Sequence, residues 1–238
     1  MMQKIFAYCE RGADPSYWAE PVNAITNAAF IVAALAALAL WRSARGMLAG
    51  VPELLLIIIV FAIGVGSYLF HTHAEGWAAL ADTLPIGIFM VGYLGYALRR
   101  YFNWDWINTL VALGGFFLAL AVSSMVRCDG GACFNGSAAY FPALIALLLI
   151  GGILILRGHG AGGFVLGAGL VFAVSLTLRT LDRDTCGDTI VTGYGPLGTH
   201  FGWHTLNAVL LYLLLRAAII YGPRLAPNRS LKPVDPYA

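Results

Sequence analysis

The chain has 238 residues, of which 60% are hydrophobic and only 11% are charged, and its mean hydropathy is +0.78. A soluble domain carries about 25% charged residues, so this composition excludes a soluble globular protein and indicates a protein embedded in a membrane. The net charge of +2 and the lack of a basic patch interleaved with aromatic residues argue against a nucleic-acid partner.

Seven stretches of the sequence are apolar enough to cross a membrane as helices, which takes about 20 residues each. We predict an all-α integral membrane protein with transmembrane helices at about 22–41, 51–72, 80–98, 106–126, 138–156, 162–181 and 198–221. Charged or turn-forming segments separate these helices, among them the loops CDGGACFNG and DRDTCGD. Residues 1–221 form one predicted domain, and residues 222–238 form a polar, proline-rich tail.

The basic residues are divided unevenly between the two faces that seven spans create. The face with the N-terminus and the loops after spans two, four and six carries Lys4, Arg11, Arg127, Arg179 and Arg183. The opposite face carries Arg42, Arg45, Arg99, Arg100, Arg157, Arg216, Arg224, Arg229 and Lys232. Nine basic residues against five predict, by the positive-inside rule, a cytoplasmic C-terminus and a non-cytoplasmic N-terminus.

All four cysteines, Cys9, Cys128, Cys133 and Cys186, fall on the predicted non-cytoplasmic face, where disulfides persist. Cys128 and Cys133 flank a short DGGA loop and are placed to close a hairpin. Cys9 would then pair with Cys186 and tie the N-terminal segment to the loop before the last span. The sequence alone permits three connectivities, and four free thiols are the remaining alternative.

Three histidines lie at the ends of predicted spans on this same face. His71 closes the second span, and His200 and His204 open the seventh. Ionisable side chains at membrane depth are costly and mark functional sites. Two histidines four residues apart on a helix point at one place, as zinc requires, and His71 can supply a third ligand from a neighbouring helix. Three histidine ligands leave a fourth position for water, which is typical of catalytic zinc. The alternative for each histidine alone is a hydrogen-bonded packing role.

Two more polar residues are predicted to lie beside these histidines. Asp82 is near the start of the third span, and Ser67 lies one helical turn before His71. Zinc lowers the pKa of bound water to about 7 and polarises a carbonyl oxygen. Asp82 is therefore a candidate general base or proton shuttle, and Ser67 is a candidate donor to the developing oxyanion. A nucleophilic or purely packing role for Ser67 stays open.

Four segments of the chain together resemble one family, the alkaline ceramidases. GVGSYLFHTHAEGWAALADTLP resembles their second and third spans, with Ser-x3-His followed by an Asp eleven residues on, and GPLGTHFGWHTLN resembles their final His-x-x-Trp-His. YCERGADPSYWAEPVNAITN is similar to their N-terminal segment, and LDRDTC to the segment before their last span. The resemblance covers about residues 8–212. It implies a seven-helix fold, zinc at the three histidines, a Cys9–Cys186 disulfide and hydrolysis of ceramide to a sphingoid base and a free fatty acid.

The same resemblance makes calcium a second candidate cofactor. The animal enzymes of this family hold calcium near the N-terminus, and Glu10 and Glu20 match two of the acidic positions. Ala7 and Gly12 stand where an Asp and an Asn would be, and Asp14 is a candidate substitute. Calcium needs about six to eight oxygen ligands. The alternative is that Glu10 pairs with Arg11 or with water.

We therefore expect a multi-pass membrane amide hydrolase that uses zinc-activated water on a lipid amide, with ceramide implied by the resemblance. Its active-site face would point to a periplasm, a lumen or the exterior, and its partners would be the lipid substrate and the membrane, with no obligate protein partner evident. The alternatives are a hydrolase of another lipid amide and a zinc-holding seven-helix receptor similar to the adiponectin receptors. A haem cytochrome is disfavoured because axial histidines usually face each other from different helices, whereas His200 and His204 share one helix face.

Overall fold

The computed structural model describes residues 3–44, 50–128 and 131–222 of the chain, the side chains of residues 131 and 132 excepted. Within these ranges, seven helical segments are long and apolar enough to cross a membrane. We number them as spans one to seven: Pro21–Ala44, Val51–His73, Gly76–Arg100, Trp106–Met125, Cys133–Leu156, Gly162–Leu181 and His200–Tyr221. The predicted class, an all-α membrane protein with seven spans, is confirmed. The predicted tail lies outside the described residues from position 223 onwards.

Two of the spans are composite, and two short hairpins lie between spans. Span one consists of the helices Pro21–Thr26 and Ala28–Ala44, and span five of a 3₁₀ segment, Cys133–Tyr140, followed by the α-helix Phe141–Leu156. The hairpins pair Arg127–Cys128 with Gly131–Ala132 and Ile190–Val191 with Gly195–Pro196. A disulfide between Cys128 and Cys133 closes the first hairpin. The 3₁₀ segment extends span five to Cys133, whereas the sequence predicts a start near 138.

A tight turn joins spans two and three. Ala74 ends span two in the left-handed region, with φ 50°, and its N–H donates to the carbonyl of Phe70 at 2.8 Å. Glu75 is extended and precedes the first residue of the next helix. Because only these two residues separate the helices, span three begins at Gly76 rather than near 80 and packs beside span two.

The spans pack as a closed ring. Each span contacts the next one in sequence, and span seven contacts both span one and span two. Large apolar side chains such as Val32, Ile58, Leu110 and Leu149 are exposed on the outside of the ring. Lipid accepts such a surface and water does not. Ring closure makes spans two and seven neighbours although more than a hundred residues separate them in sequence.

The N-terminal segment lies across the end of the ring where spans two and three meet. A disulfide joins Cys9 to Cys186, with 5.6 Å between their Cα atoms. Lys4 forms an ion pair with Glu75 at 3.1 Å, and Arg183 donates to two backbone carbonyls of this segment. Both disulfides therefore have the pairing expected from the sequence, and the segment before span one is fixed over the histidine end of the ring.

Candidate metal centre and catalytic site

The three histidines singled out in the sequence converge in the structure. Their ligand atoms all lie within 4.8 Å of one another, and His71, His200 and His204 are each at most 1% exposed. His71 comes from the last turn of span two, and the other two from the first two turns of span seven. The contact between these spans is what brings them together. Among the described residues, this is the one group of three or more His, Cys, Asp or Glu side chains spaced to hold a metal ion.

Two residues of the N-terminal region fix the orientation of the histidine rings. The carboxylate of Glu20 lies 2.5 Å from Nδ1 of His71, and it can only accept, so Nδ1–H donates. Thr26 bonds to Nδ1 of His204 at 3.0 Å, while its hydroxyl also lies 2.8 Å from the carbonyl of Val22. If that hydroxyl proton goes to the carbonyl, the hydroxyl oxygen accepts from Nδ1–H of His204. Such partners hold metal-binding histidines in one tautomer.

Each of the three histidines has one buried ring nitrogen without a hydrogen-bond partner among the described residues. These are Nε2 of His71, Nδ1 of His200 and Nε2 of His204, and all three are buried. An unsatisfied buried polar atom costs about 1–3 kcal/mol, so three of them in one group of histidines are expensive unless something binds them. With Nδ1 of His71 and His204 used by Glu20 and Thr26, their free lone pairs are the Nε2 atoms. A zinc ion accepts this donor set directly.

The position of Glu20 also determines its charge. Burial acts to raise the pKa of Glu20, but the hydrogen bonds and charges of His71 and Arg11 outweigh burial and leave that pKa below its ordinary value. Glu20 is therefore an ionised carboxylate inside the protein. It faces the imidazole of His71 with one oxygen and the guanidinium of Arg11 with the other.

The start of span seven is held by a buried aspartate. Asp182 accepts the backbone N–H groups of Thr199 and His200 with Oδ1, at 2.8 and 2.9 Å. Its other oxygen accepts the N–H of Cys9 at 2.9 Å. Gly198 has φ 69°, and a Cβ there would lie 2.2 Å from Oδ1 of Asp182. The first histidine of span seven is thus anchored to the N-terminal segment through Asp182.

Ser67 and Asp82 lie close to each other, beside His71. Ser67 is buried one turn before His71 on span two, and the half-buried Asp82 side chain interacts with Ser67 and lies within electrostatic range of His71. The close approach depends on Gly66, where a Cβ would lie only 2.0 Å from the carbonyl oxygen of Ala81. The structure therefore brings both predicted catalytic side chains to the histidine group.

An arginine that the sequence reasoning used only for its charge lies at the edge of this group. Arg179 donates to the carbonyl of Asn135 at 2.7 Å and to Oγ of Ser137 at 3.0 Å. Its guanidinium lies 5.3 Å from the ring of Tyr140 and 5.5 Å from that of Trp203. These contacts hold a positive charge beside two rings, Tyr140 and Trp203, that line the cavity described next.

An apolar cavity opens between the spans beside the site. Its lining includes Phe30 and Trp203, whose rings lie 6.3 Å from the ring of His204 and 6.5 Å from that of His200. Farther from the histidines it is lined by Met90, among other apolar residues. Pockets for small ligands are lined mainly by hydrophobic side chains. The cavity therefore suits an apolar group attached to a polar group at the histidines.

The three candidate calcium ligands do not form a group spaced to hold a metal ion. Asp14 is exposed and accepts the backbone N–H of Ser16 at 2.8 Å. Glu20 is engaged by His71 and by Arg11, whose Nε lies 2.5 Å from Oε1 of Glu20. The residues present therefore do not fit calcium as the resemblance led us to expect.

Glu10 has a different partner set from both expectations. It accepts the N–H groups of Val22 and Asn23 at 2.7 and 2.8 Å and the hydroxyl of Tyr194. Burial raises the pKa of Glu10, against the lowering effect of these hydrogen bonds. Glu10 thus caps the start of span one, and Arg11 pairs with Glu20 rather than with Glu10.

The sequence reasoning missed the orienting roles of Glu20 and Thr26 and the contact of Tyr8 with the site. The ring of Tyr8 stacks on that of His200, with 3.6 Å between their centroids. One signal was available, because metal-binding histidines nearly always bond a carboxylate, carbonyl or water through their second nitrogen. Glu20 and Thr26 lie in the stretch YCERGADPSYWAEPVNAITN, which carried part of the family resemblance.

The fold and the site define a class of protein: a seven-span membrane protein with a buried group of three histidines that could hold a metal ion, next to an apolar cavity. The sequence model of the family described as Ceramidase matches residues 6–222. The chain belongs to the ceramidase family. Among curated proteins, no match to the chain was found. Family membership supports an enzyme that hydrolyses the amide bond of ceramide, a lipid substrate.

Proposed function

We propose that this protein is a zinc-dependent ceramidase, which cleaves ceramide to a sphingoid base and a free fatty acid. The observation that carries the proposal is the set of three buried, unpartnered ring nitrogens on His71, His200 and His204. These three residues would hold the zinc ion through their ring nitrogens. When bound, zinc would supply Lewis acidity and activate water at neutral pH.

The chain's own residues divide the remaining work. The carboxylate of Asp82 would take up the proton that the attacking water releases and return it to the leaving amine, a role typical of a positioned carboxylate. The hydroxyl of Ser67 would donate to the amide oxygen as negative charge develops there. Glu20 and Thr26 keep the histidine rings oriented, and Arg179 adds a positive potential at the border of the cavity.

The substrate assignment rests on the cavity together with the family. A mainly apolar cavity, lined by Trp203 near the histidines and by residues such as Met90, is suited to an acyl chain. The amide would then lie at the histidines, where polar groups are concentrated. Burial of the chain excludes water from the reacting group except at the metal position.

We also propose that the site opens to the non-cytoplasmic face. The uneven distribution of basic residues supports this orientation. Both disulfides lie at the same end of the ring as the histidines, and disulfides persist in oxidising compartments. The lumen, the periplasm and the exterior all satisfy these conditions.

The test is direct. Purified protein is incubated with N-acyl-sphingosine, the free long-chain base is followed, and zinc content is measured in the same samples. We expect His200→Ala to lose both zinc and activity, and Asp82→Ala to keep zinc and lose at least about 10²-fold in kcat, the lower end for general acid–base catalysis. His159→Ala, at the other end of the ring, is the matched histidine control and should retain both.

Two results would contradict the proposal. Full activity of Asp82→Ala would remove the assigned proton transfer. A zinc-loaded but inactive unmodified protein, tested over ceramides of several chain lengths, would favour another lipid amide or the receptor-like alternative.

A further inference from the structure

Arg11 is buried more deeply than a charged side chain normally is. Arg11 is 2% exposed. It belongs to the N-terminal segment, and its guanidinium contacts the end of span two. Its Nε lies 2.5 Å from Oε1 of Glu20, its single carboxylate partner among the described residues. Charged residues are almost never fully buried unless they are paired, so this position calls for a specific reason.

The other atoms around the Arg11 guanidinium are all backbone carbonyl oxygens. Nη1 donates to the carbonyls of Asp14 and Ser16 at 3.2 and 2.8 Å. Nη2 donates to the carbonyl of His71 at 2.8 Å and lies 3.5 Å from that of Thr72. One carboxylate oxygen and four carbonyl oxygens surround a single positive group. Oxygen shells of this composition are what calcium takes in proteins, but here the protein's own guanidinium fills the shell.

The same guanidinium holds His71, a proposed zinc ligand, in two ways. Through Glu20 it fixes the carboxylate that binds Nδ1 of His71, and through Nη2 it holds the backbone carbonyl of His71. Side chain and main chain of one metal ligand are thus tied to one cation. Arginine suits this role because its planar, permanently charged guanidinium holds several acceptors in a defined geometry. A lysine ammonium does not.

We propose that Arg11 is the built-in cation of the N-terminal segment, in place of calcium, and a positioning residue for the zinc ligand His71 through Glu20. The inference rests on the proposed zinc site. Arg11 does not contact the reacting atoms; it acts on the affinity and the geometry of the metal centre. A protein arranged in this way needs no calcium at this position, because the carboxylate of Glu20 is already neutralised by a permanent charge.

The experiment measures zinc affinity, by competition with a chromophoric chelator in detergent, independently of turnover. Removal of a residue that orients a metal ligand costs about 10- to 100-fold in metal affinity, and we expect a loss in this range for Arg11→Met. Arg11→Lys keeps the positive charge but lacks the planar guanidinium, so its loss of zinc affinity should be intermediate. The matched control is Arg183→Met, because Arg183 also donates to two carbonyls of the N-terminal segment but has no hydrogen bond to a carboxylate or a histidine within the described residues. Its zinc affinity should stay within about twofold.

A double variant separates positioning from general destabilisation. If Arg11 acts through Glu20, the variant Arg11→Met/Glu20→Gln should bind zinc about as weakly as the weaker of the two single variants, because residues that act as a unit are not additive. Losses that multiply would overturn the proposal. So would an Arg11→Met protein that melts earlier but binds zinc as tightly as the unmodified chain. If Arg11→Met does not fold, Arg11→Lys carries the same comparison.

The claim that Arg11 takes the place of calcium is tested by equilibrium dialysis of the unmodified protein with ⁴⁵Ca²⁺. We expect no saturable binding below about 1 mM, the weak limit of calcium sites in proteins. One calcium bound per chain, with zinc affinity that depends on it, would overturn the inference. An unmodified protein that binds no zinc would instead overturn the proposed function, so the two failures are distinguishable.

Discussion

Replacing Gly66 by alanine should push span three, which carries Asp82, away from span two, which carries His71. A Cβ at this position would lie 2.0 Å from the carbonyl oxygen of Ala81 and 3.1 Å from the backbone nitrogen of Asp82. Ordinary contacts to a Cβ begin near 3.4 Å, so spans two and three must move apart by about 1.4 Å, the difference between 3.4 and 2.0 Å. Overpacking of this kind costs about 1–3 kcal/mol in stability. A misplacement of about 1 Å at a catalytic group can cost about 10²-fold in rate.

The assay compares kcat, zinc content and melting temperature for Gly66→Ala and for Gly92→Ala. Gly92 is a helical glycine between the same two spans, where a Cβ would meet only Leu56, at an ordinary 3.8 Å. We expect Gly66→Ala to keep zinc but to lose about 10²-fold in kcat, and Gly92→Ala to be unaffected or slightly stabilised. If Gly66→Ala turned over ceramide within about twofold of the unmodified protein, the dependence of Asp82 on this close approach would be refuted.

Two further predictions concern the anchor of span seven and the cavity. Asp182→Ala leaves three backbone N–H groups, of Cys9, Thr199 and His200, without their acceptor. At about 1–3 kcal/mol each, this loss approaches the total stability of a domain, so folded protein should be scarce by size-exclusion chromatography. Asp182→Asn retains one acceptor oxygen and should be affected less; equal yields of both variants would contradict the capping role. Ala146 lines the cavity, and Ala146→Phe should lower kcat/KM for a long-chain ceramide about tenfold relative to a short-chain one. The reason is that each methylene in a pocket is worth about 1–3 kcal/mol. Equal losses for both chain lengths would argue against an acyl-chain site.

The part of the site that the sequence predicts is the part that depends on local spacing. His200 and His204 share a helix face because they are four residues apart, and Ser67 lies over His71 for the same reason. The proximity of Asp82 follows from the short connection between spans two and three. The meeting of His71 with span seven is not local, and the sequence indicated it only through topology and the family resemblance.

The orienting contacts could not be predicted in the same way because they join segments that are distant in sequence. Nothing in the sequence indicates whether Arg11 pairs with Glu10 beside it or with Glu20 nine positions on. The structure decides because Glu10 is already used by two backbone N–H groups at the start of span one. A carboxylate so engaged is a poor partner for a second buried group. Glu20, in contrast, faces Arg11 with one oxygen and His71 with the other.

The anchoring of the N-terminal segment explains why a metal site can be precise at the end of a helix ring, where helices commonly fray. His71 is in the last turn of span two and is held there by Arg11 and Glu20. His200 is the first residue of span seven and is held by Asp182, which also binds the N–H of Cys9 beside the disulfide. Both helix ends are therefore tied to one short segment, the residues that precede Pro21. A metal centre works only when its ligands are held within about 0.5 Å of the required geometry, so we expect truncation of this segment to abolish zinc binding even though it contributes no zinc ligand.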